Sequence, residues 1–309
     1  MIVPILLIAF ALRVVLLNQS FWLDEATSAL VARDFSFRQI VTTFSPGDFH
    51  PPLYYFFLKL WGTWFDFSEI SLRLFSVICA LATIYLVYLI CQKLEFAKSH
   101  LKLSFLNLDF PSLSALTLAI NPLHIYYSQE ARMYSLSAML ASAAIYRYLL
   151  LISKPTLKNR LLLALIILFG LYTFYPLLLI PLILLIHSLL KRELAAFLPS
   201  LALSLAFFLP WLPTLRAQIT NALTVRTSAP IWWNILGKTT LRPTILVWIK
   251  FLIGRISFLT KKGYLSYIGI ASIVPILALF KSWTAKKIIS LIWLWLLLPL
   301  FITAILGLI

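Results

Sequence analysis

Nine stretches of the chain are apolar, with no more than one Lys, Arg, Asp or Glu in each: 2–17, 74–91, 111–127, 133–152, 161–175, 177–190, 195–213, 264–280 and 288–309. A helix needs about twenty apolar residues to cross a bilayer, and several of these runs are shorter. The pattern predicts an all-α, polytopic transmembrane helical bundle of about nine spans. Between the first two runs the pattern changes. Ser36 and Gln39 form an S-x-x-Q capping box, and Phe37, Ile40, Val41 and Phe44 follow at the spacing of an amphipathic helix. Ser45-Pro46-Gly47-Asp48 reads as a turn, and HPPLYYFFLKLW (50–61) turns helical after its prolines. Helices are expected at 23–33, 37–44 and 52–61, lying in the outer interface. Ser68 and Glu69 then lead into the second span. A further interfacial helix is expected at 244–259, because Lys250 and Arg255 would be costly at mid-bilayer. No internal repeat or low-complexity segment divides the chain, so 1–309 reads as one domain.

Composition agrees with lipid as the solvent. Hydrophobic residues make up 62% of the chain and charged residues 12%, against about 25% charged in soluble domains, and mean hydropathy is +0.97. The net charge of +16 raises the question of nucleic acid. Here the cations sit in short clusters between apolar runs, which points to membrane lipids and argues against nucleic acid. Lys93/Lys98/Lys102, Lys154/Lys158/Arg160, Lys191/Arg192 and Lys281/Lys286/Lys287 fall in alternate loops. Those loops and the N-terminus are therefore expected in the cytoplasm, and segments 18–73 and 214–263 outside. Residues 2–17 lack a basic n-region and a small-residue cleavage site, so they read as a retained first span. Cys79 and Cys91 lie twelve residues apart in one expected helix, about 18 Å along its axis, too far for a disulfide.

Few of the ten acids sit where chemistry could use them. Asp24 and Glu25 follow Phe21-Trp22-Leu23, and Glu130 lies in YYSQEARMY; both sites fall just past the outer end of a span. Taken singly, each carboxylate could simply favour the positive end of a helix dipole. Taken together at one depth, beside Trp22, Arg132 and Tyr134, they are candidates for function. His50 opens His-Pro-Pro and on spacing alone is as well explained as a polar residue in an interface turn. For His124 a hydrogen bond at the interface is the expected role. The chain has no C-x-x-C, G-x-G-x-x-G, Walker, H-E-x-x-H or G-x-S-x-G pattern, which argues against nucleotide-driven pumps and familiar soluble catalytic sites.

The runs FWLDEATSALVAR, HPPLYYFFLKLW, SEISLRLFSVICALATIYLVYLI and NPLHIYYSQEARMYSL, in that order, resemble glycosyltransferase family 39 of the C-type membrane glycosyltransferases. That family includes the protein O-mannosyltransferases and the lipid A aminoarabinose transferase. The resemblance covers residues 12–150 well and continues loosely through 208–215 and Trp232-Trp233. It implies a glycosyltransferase that moves a sugar from a polyprenyl-phosphate-sugar donor to an acceptor hydroxyl on a lipid, glycan or protein. Transfer would invert the anomeric carbon, at the extracytoplasmic face of a multi-pass plasma-membrane protein. Carried over by position, Asp24 is the base, Glu25 its neighbour and Glu130 the second acidic site. His50, Tyr54, Gln129, Arg132 and Tyr134 are then the substrate-binding residues. Tyr54, Tyr55, Phe56 and Phe57 could line a groove for the polyprenyl chain. The countercharge for the phosphate is either arginine or a divalent cation (Mg or Mn) held by Asp24 and Glu130. Two other readings stand beside this one: a lipid or lipid-linked-sugar transporter, and a non-catalytic, truncated membrane relative.

Overall fold

The computed structural model describes residues 2–94, 109–228, 249–254, 261–284 and 289–306, and no strand occurs among them. The helices are α1 (Ile2–Arg13), α2 (Leu23–Asp34), α3 (Phe37–Gln39), α4 (Leu53–Phe65), α5 (Glu69–Lys93), α6 (Phe110–Ala119) and α7 (Pro122–Ser128). They continue as α8 (Tyr134–Ser153), α9 (Leu157–Thr173), α10 (Leu179–Leu190), α11 (Leu194–Phe208), α12 (Leu212–Ser228), α13 (Lys261–Thr284) and α14 (Ile289–Leu306).

Local signals set many of the boundaries. Ser36 Oγ accepts from the Gln39 N–H, and the Gln39 side chain accepts from the Ser36 N–H, so the capping box forms as expected. Beyond it the chain stays helical but widens into a π turn over Ile40–Phe44 and closes with a 3₁₀ turn over Ser45–Gly47. Ser68 caps α5 by accepting from the Ser71 N–H at 3.3 Å. Asp109 and Thr156 do the same for α6 and α9.

Among the described residues, three helical runs are long and apolar enough to cross a membrane: Glu69–Lys93, Tyr134–Ser153 and Leu194–Val225. The last joins α11 to α12 through a 3₁₀ turn at Leu209–Trp211, so the expected span 195–213 continues well beyond its outer limit. The expected single span 111–127 is instead two short helices. Asn121 stops α6 and caps α7, accepting from the His124 N–H, and Pro122 occupies the first helical position, where its missing N–H costs nothing. The first apolar run also ends early, at Arg13. Of the expected interfacial helix 244–259, only 249–254 lies within the described residues.

α5 and α8 form the centre and pack along each other. On one flank Ile5 and Ala9 of α1 meet Ile84 of α5 and Ala115 and Ala119 of α6. On another, Tyr148 and Leu151 of α8 pack with Leu163, Ile167, Ile183, Leu184 and Phe197. Over the end of α5 that carries Leu72, α2 and α4 bury Val31, Ala32, Tyr54, Tyr55 and Leu58. This cluster also includes Ala131 and Met133 from the turn between α7 and α8, and that turn carries the candidate site.

Candidate active site at one end of the bundle

One buried ion pair fixes the entry to α2. Glu25 is 2% exposed and takes Arg73 Nε at 3.0 Å and Nη2 at 2.7 Å on its two oxygens. Glu25 Oε1 also accepts the Ala131 N–H at 2.7 Å, and Oε2 accepts the Trp22 N–H at 3.4 Å. Arg73 directs its remaining donors to the carbonyls of Leu17, Gln19 and Ser20. A bidentate guanidinium–carboxylate pair with its other donors satisfied is the geometry in which a buried charge pair is tolerated. It binds the 17–20 loop, α2, α5 and the 130–132 turn into one unit. The two acidic motifs expected to converge are thus in contact, through Glu25 and the backbone beside Glu130.

Asp24, one residue earlier, faces outward with its side chain 44% exposed. Its carboxylate lies 3.7 Å from Arg132, whose guanidinium is almost enclosed. Arg132 Nη1 donates to Ser28 Oγ and to the Asp24 carbonyl, while its Nε–H has no acceptor among the described residues. Burial pulls the Arg132 pKa down; the neighbouring Tyr55, Tyr134, Asp24 and Tyr54 more than offset this and leave it raised. Glu130 is buried in the turn that follows α7 and does not open α8. The helix-dipole account therefore fits Asp24 and Glu25 but not Glu130.

A second polar group lies on the neighbouring loop. Asp48 accepts from the Tyr55 hydroxyl at 2.8 Å and lies 3.4 Å from His50 Nδ1. Burial would raise its carboxyl, but His50, the Tyr55 hydroxyl and the Phe49 N–H outweigh that and hold it below the usual carboxylate range. The His50 ring stacks on Phe174 at 6.2 Å, and Phe174 meets Tyr134 edge-on. Gln218 of α12 clasps the loop from the other side. Its amide donates to Ser45 O at 2.7 Å and His50 O at 3.0 Å, and it accepts from the Tyr175 hydroxyl. Asn221 donates to Pro46 O. Segments 18–73 and 214–263 therefore touch at one end of the bundle.

Compared with protein-family models and with curated proteins, the chain matches none. Asp24 and Arg132 are brought together, Tyr134 packs edge-on against Phe174, on which the His50 ring stacks, and Glu130 is buried in the turn that carries Arg132. Two expected substrate contacts are committed elsewhere. Gln129 donates to the carbonyls of Arg13 and Val15, which close the end of α1. Tyr54 is 1% exposed and packs against Tyr55 and Phe75, so it supports the site from inside. Glu25 likewise has both oxygens engaged and positions its neighbours. His124 makes the expected hydrogen bond, to Arg13 Nη2 at 2.7 Å. No group of three or more His, Cys, Asp or Glu is arranged around a metal-sized space among the described residues. Arg132 brings a positive charge beside Asp24.

Arg73, Asp48 and Gln218 received no role from the spacing of the sequence. Arg73 had a readable signal, as a cation at the threshold of a long apolar helix. Asp48 read only as a turn residue, and nothing local marks Gln218.

Proposed function

We propose that this chain is a membrane-embedded glycosyltransferase that moves a sugar from a polyprenyl-phosphate-linked donor to an acceptor hydroxyl, with inversion. The observation that carries this reading is an exposed carboxylate, Asp24, held 3.7 Å from an enclosed guanidinium, Arg132, at one end of an apolar bundle. The four motifs that resemble glycosyltransferase family 39 supply the residues of this end. The reading makes the chain a multi-pass plasma-membrane protein of about nine crossings with its site on the extracytoplasmic side. The clasp of Gln218 on the 45–50 loop supports a common side for the two long segments.

The acceptor oxygen attacks the anomeric carbon while Asp24 takes its proton, a role that requires a carboxylate open to substrate. The bond from the anomeric carbon to the phosphate oxygen breaks on the opposite face, and polyprenyl phosphate leaves with one more negative charge. Arg132 faces that charge, and its unengaged Nε–H is a donor available to a phosphate oxygen. Glu25, held by Arg73, fixes Asp24 and the 130–132 turn relative to each other. His50, oriented by Asp48 and stacked on Phe174, is a further candidate donor toward the phosphate or sugar.

The test is sugar transfer in membranes carrying the full chain, offered a panel of polyprenyl-phosphate sugars, with Asp24→Asn beside the parent. Removing a positioned base typically lowers the rate about 10²–10⁴-fold, and loss of an exposed helix-dipole carboxylate costs only about 0.3–1 kcal/mol of stability. Transfer by Asp24→Asn at the parental rate, with unchanged melting in detergent, would overturn the assignment.

A further inference from the structure

Away from the charged site, α10 and α14 leave an open groove of about 430 Å³, lined by Leu190, Trp293, Leu294, Leu297, Leu298 and Phe301. Phe174, stacked under His50, and Tyr175, which donates to Gln218, immediately precede α10, so that helix starts beside the charged site. Its twelve residues lead about 18 Å away, and Leu190 is the last of them. The five groove residues of α14 recur at i, i+1, i+4, i+5 and i+8, a single helix face about 12 Å long. Leu294 and Leu298 pack toward the core beside the buried Leu291, whereas Leu297 and Phe301 are exposed. No charged side chain lines the groove, and its volume falls within the about 300–1,000 Å³ of ligand-sized pockets.

The chain turns sharply just past Leu190. The Glu193 N–H donates to Ser188 O at 2.7 Å and the Arg192 N–H to Leu189 O at 3.2 Å, the paired closure of a Schellman motif. Arg192 takes the left-handed position, φ 59°, that glycine usually fills. This closure fixes two consecutive cations, Lys191 and Arg192, directly beyond the last α10 residue of the groove. Both are exposed, and neither meets a carboxylate in an ion pair among the described residues. One leaflet supplies about 15 Å of hydrocarbon depth, which the 12 Å face nearly matches. We infer that α10 and α14 bind one anionic bilayer phospholipid, with an acyl chain along the α14 face and the head-group phosphate against Lys191 and Arg192. Basic pockets between membrane helices are known hosts for such head groups. The lipid bridges α14 to the α10–α11 turn; it is a structural component of the bundle, and its binding does not depend on sugar transfer.

To test this, the full chain is purified in detergent, stripped of lipid and titrated with phosphatidylglycerol or with phosphatidylcholine of the same acyl chains. Native mass spectrometry counts the lipids bound. At about 1 kcal/mol for each cation, the pair should favour the first phosphatidylglycerol over phosphatidylcholine about thirtyfold. Lys191→Gln/Arg192→Asn, in which Asn keeps the left-handed position, should remove that preference. Leu297→Trp fills the groove; displacing two CH₂-sized groups from burial should weaken phosphatidylglycerol binding about tenfold. Leu165→Trp, on the exposed side of α9, should leave it unchanged. Excess glycerol 3-phosphate should not compete, because the acyl chain contributes to binding. Equal binding of the two lipids by the parent overturns the inference whatever the variants do. So does a preference that survives the double variant, or an equal loss in Leu165→Trp and Leu297→Trp. Full competition by glycerol 3-phosphate would make the cation pair a free-phosphate site and overturn the lipid assignment.

Discussion

Replacing Glu25 with Gln changes one oxygen for one NH₂ and leaves the volume of the side chain almost unchanged. In this structure the change has several consequences at once. Arg73 keeps its charge in a place where both groups are at most 5% exposed, but loses its counter-ion. One of the two short contacts, 3.0 Å from Nε and 2.7 Å from Nη2, becomes donor against donor. If the amide turns its oxygen to Arg73, the Ala131 N–H loses its 2.7 Å acceptor or must share it. Breaking a buried pair from one side costs about 3–5 kcal/mol. Were Glu25 only a carboxylate at a helix N-terminus, the loss would be about 0.3–1 kcal/mol. At roughly 2–4 °C per kcal/mol for a chain of a few hundred residues, the first case is a fall on the order of 10 °C and the second a few degrees at most. Thermal unfolding in detergent, followed by tryptophan emission with Asp24→Asn as an exposed-carboxylate control, separates the two. A Glu25→Gln protein that melts within 2 °C or so of the parent would show that the pair does not hold this end of the bundle together.

The Asp48 carboxyl is held below its ordinary pKa by His50 and Tyr55, so its contribution to stability should be fully present above about pH 4. That contribution is lost as pH falls through the lowered value; the melting difference between parent and Asp48→Asn should therefore shrink steadily below pH 4, and a constant difference would contradict it. For sidedness, Gly47→Cys and Lys158→Cys in a Cys91→Ser background should react oppositely with an impermeant maleimide added outside intact cells; Gly47 is open, with nothing within 4 Å of an added Cβ, and should label, while Lys158 should not. Labelling of Lys158→Cys alone would invert the topology. Gly62→Ala would bring a Cβ to 2.4 Å from the Phe67 ring, forcing that ring out of the α4–α5 connection. The expected cost is about 1–3 kcal/mol, seen as lower melting with little change in transfer once folded.

What could be read from the chain was local. Ser36 with Gln39, and Ser68 before Glu69, carry their instructions within four residues, and the structure places helix starts there. The boundaries of α2 and α8 fall within a residue of the expected 23–33 and 133–152, whereas α9, capped by Thr156, begins four residues before the expected 161. Averaged hydropathy hid the break at Asn121: the run 111–127 is apolar throughout, although Asn-Pro is itself a legible start signal for a helix. Glu130 fits no helix dipole because it lies in the turn between the end of α7 at Ser128 and the start of α8 at Tyr134. The site depended on what no short window contains. Arg73 reaches carbonyls 53 to 56 residues earlier, and Gln218 reaches His50 and Ser45 across 168 and 173 residues. Gln129 and Tyr54 had suitable chemistry at the right end of the bundle, and packing gave both of them other partners.

Arg13 has implications for how such a chain is made. Its side chain is fully enclosed, donating to Ala9 O, Ala119 O and His124 Nδ1, so it neutralises the carbonyl end of α6 as well as finishing α1. All but one of those partners are translated more than 100 residues after it, the Ala119 carbonyl 106 residues later. At about 5–20 residues per second, the ribosome delivers them roughly 5–20 s after Arg13 emerges. During that interval α1 is a twelve-residue segment with an uncompensated cation at one end, about 18 Å long and too short to be stable across lipid by itself. In a membrane-embedded chain it must wait at the surface or within the insertion machinery, while α5 is already long enough to enter alone. Seating of the first helix is then a late event in biogenesis, and it completes the foundation on which Gln129 and the neighbouring turn rest.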